Sequence, residues 1–170
     1  MEFIPRDELE RRASEVLARH GMRALPIDPV RLAKGEGIQV NNAKFSDDGV
    51  SGMVARRGDS VSILVNRDDP PFRKRFTIAH ELAHHFLHLL QDGDIVDKAV
   101  DLFRMQEQEE EENAVKRREI QANMFAAALL MPADDVRRAY EENPSVPHLA
   151  RLFNVSEAAM AIRLDVLDLE

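Results

Sequence analysis

The chain has 170 residues, a formal net charge of −8 and no cysteine. Its length suits one domain with a buried core, and the lack of cysteine excludes disulfides and thiolate metal sites and fits a cytoplasmic location. The negative charge opposes binding to a phosphate backbone and favours a basic protein partner; the polar start MEFIPRDELERR is no signal peptide, and no stretch approaches a membrane span.

In chain order, Asp7 to His20 is expected to be helical, with Leu9, Ala13, Val16 and Leu17 on one face and Gly21 as the stop. Pro29 opens a short second helix that Gly35 and Gly37 end. Three strand-like runs follow: Ile38 to Ala43, Val50 to Arg56 and Ser60 to Asn66. The turn residues Asp47-Asp48-Gly49 and Arg57-Gly58-Asp59 separate them, so a small antiparallel sheet is expected, broken at Asp68-Asp69-Pro70-Pro71. Thr77 is the expected N-cap of a helix reaching about Leu90, which Gln91-Asp92-Gly93-Asp94 ends. Residues 95–108 give no clear assignment. A long helix is expected over about Glu109 to Met131, and another from Pro132 to Tyr140. Two short helices close the chain, Val146 to Phe153 and Ser156 to about Leu167. The acidic run Glu107 to Glu112 reads as a solvated helix start or loop, and as a feature able to steer a basic partner.

Residues 80–88 read HELAHHFLH, in which His80, Glu81 and His84 form H-E-x-x-H. On a helix, positions i and i+4 share a face about 6 Å apart along the axis, so two imidazoles converge on one ion. Zinc accepts neutral imidazole and prefers four ligands in a tetrahedron. Glu81 is turned about 100° from His80, which places it beside the metal as a base. His88 lies some 12 Å beyond His80, too far to share its ion. A His84/His88 pair is formally possible but has no base beside its first ligand. His85 projects beside Glu81 at i+4 and either orients that carboxylate or occupies a surface or interface.

A third ligand must be His, Glu or Asp from elsewhere. The alanine-rich segment REIQANMFAAALLMP, Arg118 to Pro132, suits close helix packing, and Glu119 sits at its edge. Alone, Glu119 reads as an exposed carboxylate; beside an H-E-x-x-H helix packed antiparallel, it becomes the candidate ligand. Asn123, one turn on, then falls beside His80, where metal-bound histidines usually need a hydrogen-bond partner.

RFTIAHELAHHFLH followed by EIQANMFAAALLMP resembles the ImmA/IrrE family of zinc-dependent peptidases. IDPVRLAKGEGIQV, SVSILVNRDDPPFRKRFTIAHE and HLARLFNVSEAAMAIRL extend the resemblance over about residues 10–168. It implies an α+β, zincin-like fold, with a small antiparallel sheet packed on the H-E-x-x-H helix and further helices. Residues 1–143 would form the peptidase domain and 144–170 a helix-turn-helix-like pair packed on it as one unit. It implies Zn2+ held by His80, His84 and Glu119, with Glu81 as catalytic base; Asn123 stands where such zincins often carry Asp or Asn. It further implies a substrate class, helix-turn-helix repressors of mobile-element or stress-response genes, whose cleavage relieves repression. Some members carry a C-terminal sensor-like domain for which this chain ends too early.

The tetrahedral oxyanion of peptide hydrolysis needs a donor besides zinc; Tyr140, His88 and Arg75 are the candidates. An edge strand can hold an extended peptide through its main chain. Three rival readings stand beside the peptidase. LARLFNVSEAAMAIRL has helix-turn-helix spacing, yet Ser156 to Met160 offer no Arg, Lys, Asn or Gln to read bases, so direct DNA binding is not expected. A zinc-bearing protein that sequesters a repressor without cutting it is the second, and hydrolysis of a non-peptide amide the third.

Overall fold

The computed structural model describes residues 3–47, 49–87, 93–98 and 110–169. The element order is α1 (Arg6–Arg19), α2 (Pro29–Gly35), β1 (Gln39–Ala43), β2 (Val50–Arg57), β3 (Ser60–Asn66), α3 (Pro71–Phe86), β4 (Gly93–Lys98), α4 (Glu110–Leu130), α5 (Ala133–Glu142), α6 (Val146–Phe153) and α7 (Glu157–Val166). This is the expected α+β class, with a small sheet against the H-E-x-x-H helix and a helical pair at the C-terminal end.

Two local expectations need correction. The sheet is mixed, in the order β1-β3-β2-β4. β2 runs antiparallel to β3 and to β4, but β1 pairs with β3 in parallel, with Val40 opposite Ile63. The linker between Ala43 and Val50 is not a hairpin turn. It carries the chain across to the far side of the β3 position, and β3 then returns between β1 and β2. The fourth strand takes in Gly93-Asp94, expected only to end a helix, and the start of the segment that gave no assignment. The second correction concerns α3, which begins at Pro71 rather than after Thr77. Pro71 restrains Pro70 to extended backbone (ψ 155°), and Pro71 itself sits at a position that needs no N–H donor. The residues that break the sheet therefore also open the helix, and Thr77 lies buried in its interior.

Two apolar clusters flank a spine made of α3 and α4. Leu9, Ala13, Val16 and Leu17 of α1, Leu32 of α2 and Val54, Ile63 and Val65 of the sheet pack against Ile78, Leu82, Phe125 and Leu129. On the other side, Ala79, Ala126 and Leu130 pack against Val136, Leu149, Phe153 and Met160. Ala79, Ala83, Ala122 and Ala126 are all fully buried, and their small side chains let the two spine helices approach closely. Arg163 of α7, itself buried, donates to the Met131 carbonyl at 3.0 Å and to Glu10 Oε2 at 2.9 Å, tying the C-terminal pair to α1 and the end of α4. Among the described residues, no helix is long and apolar enough to cross a membrane.

Candidate metal centre

Every residue of α3 from Thr77 to His84 is buried, because the helix has sheet on one side and helices on the other. Three of those residues are titratable: His80 (7 % exposed), Glu81 (0 %) and His84 (1 %). Burial of that much polar chemistry in one helical turn is costly unless partners are built in.

The partners come from α4, which runs antiparallel to α3. Asn123 meets His80 and Glu119 meets both imidazoles. The contacts are His80 Nδ1 to Asn123 Oδ1 at 2.8 Å, His80 Nε2 to Glu119 Oε2 at 3.0 Å, and His84 Nε2 to Glu119 Oε1 at 3.6 Å. The two Nε2 atoms face each other at 3.1 Å, with the ring planes 79° apart. The Asn123 amide oxygen accepts from Nδ1–H of His80, which leaves Nε2 as a lone-pair donor aimed at the other groups.

This donor set fits a divalent cation. A tetrahedral zinc ion with ligand bonds of about 2.0–2.2 Å separates its ligands by roughly 3.3–3.6 Å, and the three contacts of 3.0, 3.1 and 3.6 Å bracket that range. One ligand atom from each of His80, His84 and Glu119 can be chosen so that all lie within 4.8 Å of one another. Lone pairs converging on one point in a buried site repel unless a cation or proton sits among them.

The remaining expected residues fall elsewhere. His85 is partly buried and contacts a carboxylate other than Glu81. Its Nε2 faces Glu36 Oε2 at 3.2 Å, at the C-cap of α2, while the other carboxylate oxygen holds His20 Nε2 at 2.6 Å. Burial pushes the Glu36 carboxyl upward, but hydrogen bonds from His85 and His20 and the charge of Arg19 outweigh it, so its pKa lies below the ordinary value. Arg75 donates from Nη2 to the Ile27 carbonyl at 2.6 Å and from Nε to the Asn154 carbonyl at 3.1 Å, which ties it to the scaffold. Burial lowers its pKa. Tyr140 packs at the edge of the cluster that also holds Phe76, whose ring centroid is 6.5 Å from that of His80. His88 and residues 107–109 of the acidic run lie outside the described residues; Glu110 begins α4.

One residue escaped the sequence reading. Gly52 of β2 is buried against α3 beside Thr77 and Glu81. A glycine inside a strand pattern is the signal that would have marked it.

Fold and site together define an α+β protein with a buried His-His-Glu group able to hold a metal ion. The chain belongs to the Peptidase_M78 family, the IrrE N-terminal-like domain, which it matches over residues 33–165. In fold it is similar to a Mycobacterium tuberculosis transcriptional regulator, with TM-score 0.66 and 22 % identity over 93 % of this chain. The match spans 46 % of that regulator, somewhat under half its length. No curated protein matches the chain in sequence.

Proposed function

We propose that the chain is a zinc-dependent endopeptidase that cuts a helix-turn-helix transcriptional repressor and so relieves repression. The observation that carries the reading is the convergence of His80, His84 and Glu119 in a member of the Peptidase_M78 family, with Glu81 on the same helical turn. His80, His84 and Glu119 would hold the ion, and Asn123 fixes the His80 ring so that Nε2 points inward. Zinc in such a site supplies Lewis acidity, lowering the pKa of a water and polarising the scissile carbonyl. Glu81 takes the proton from the attacking water and delivers it to the leaving amine, so that one water adds across one peptide bond. Complete burial suits that task, because a dry carboxylate exchanges protons with the reacting groups rather than with bulk solvent. Tyr140 and His88 are the candidate hydrogen-bond donors to the oxyanion.

The repressor as substrate is supported by the family resemblance and by the protein's negative charge, which suits a basic DNA-reading surface. Direct DNA binding is disfavoured, because the exposed face of α7 carries Glu157, Ala158, Ala161, Ile162 and Asp165. The purified chain mixed with the helix-turn-helix repressor encoded beside its gene tests the reading. A zinc-dependent pair of fragments is expected. Loss of operator binding with the repressor intact would instead identify a sequestering protein.

A further inference from the structure

Gly52 has an ordinary backbone conformation, outside the left-handed region that some other glycines of this chain occupy. Its identity is therefore not set by the local backbone. It is set by space. Buried positions alternate along β2 as Val50, Gly52 and Val54, so Gly52 faces α3. A Cβ there would overlap the Thr77 Cγ2 methyl, and would lie 3.1 Å from Glu81 Oε1 and 3.3 Å from the Leu64 carbonyl oxygen. Thr77 is β-branched and held in a helix interior, so its methyl has little freedom to move aside. The β2–β4 register also slips between Val50 and Gly52, a bulge that bends the strand at this point.

We infer that Gly52 is the positioning residue for Glu81: its missing side chain is the space that fixes where the carboxylate of the metal-binding helix lies. The effect on catalysis rests on the peptidase reading above, whereas the effect on the carboxylate does not. Two consequences of a side chain at position 52 can be separated chemically. Gly52→Ala meets both Thr77 and Glu81. Gly52→Ala combined with Thr77→Ser moves one methyl from helix to strand, which removes the first overlap at constant volume and keeps the second contact.

The experiment compares wild type, Thr77→Ser, Gly52→Ala and the double variant in their zinc-loaded forms. Melting temperature, zinc per chain, kcat and KM are measured, together with the 13C carboxyl resonance of Glu81 in glutamate-labelled protein, assigned by its loss in Glu81→Gln. We expect Gly52→Ala to melt lower and the double variant to recover. The double variant should keep one zinc and a KM within about twofold of wild type, yet show kcat lower by on the order of 10- to 100-fold. The Glu81 resonance should be displaced in both Gly52→Ala proteins and unmoved in Thr77→Ser. Recovery of kcat together with melting temperature in the double variant would make Gly52 merely structural, and an unmoved Glu81 resonance would overturn the inference. If the wild type cuts no peptide, the peptidase reading fails and the resonance alone decides the role of Gly52.

Discussion

Two clusters in this molecule have the same composition, two histidines and one glutamate, and α3 contributes to both. In the first, the Nε2 atoms of His80 and His84 and the Glu119 carboxylate face one another across 3.0 to 3.6 Å. In the second, Glu36 stands between His20 and His85 and gives one oxygen to each ring. The carboxylate of the second cluster separates the imidazoles and is satisfied by them. The carboxylate of the first joins imidazoles that already face each other. Residue type thus does not define a metal site; convergence of lone pairs does. Adjacent histidines, His84 and His85, fall into different clusters because they are turned about 100° apart on the helix.

The contrast is broken most strongly by removing a carboxylate from each cluster. Glu119→Ala should abolish stoichiometric zinc binding, whereas Glu36→Ala should leave one zinc per chain; metal analysis after dialysis checks both. Zinc retained without Glu119, or lost without Glu36, would reverse the assignment. Glu81→Gln should keep its zinc and lose on the order of 10²- to 10⁴-fold in cleavage rate, since only proton transfer is removed. Competition with a chromophoric chelator resolves the next effect. Asn123→Ala should weaken zinc binding roughly 10- to 100-fold by freeing the His80 ring.

The smallest effects belong to the second cluster. Glu36→Gln should destabilise the fold by on the order of 1–3 kcal/mol, through weaker hydrogen bonds to His20 and His85. Because the folded Glu36 pKa lies below its ordinary 4.5, its contribution is complete above that value and is lost as pH falls through the lower folded value. Melting curves of wild type and Glu36→Gln should therefore converge as pH drops below about 4.5. A gap that stays constant there would show that the carboxylate charge is not what holds the cluster.

Much of this was legible in the sequence. The helical spacing of His80, Glu81 and His84 needs only the 3.6-residue repeat, and the apolar face of α1 was read residue for residue. Glu119 was legible only in combination with that motif, since a glutamate on a helix edge is ordinarily solvated. The illegible parts share a cause, which is that they are long-range. Period-2 alternation marks a strand but not its neighbour, so the parallel β1–β3 pair could not be read. The Glu36–His85 contact spans 49 residues between side chains that usually face water. Pro70-Pro71 was read as a break in the sheet and not as the start of α3, because proline serves both ends of that connection.

The central claim is that His80, His84 and Glu119 hold zinc while Glu81 works as the base beside it. Native mass spectrometry and repressor cleavage on one preparation of wild type and Glu81→Gln test it most directly. The account predicts one zinc bound in each protein, and repressor fragments from the wild type alone. Equal cleavage by zinc-loaded Glu81→Gln, or a wild type that binds no zinc, would contradict it.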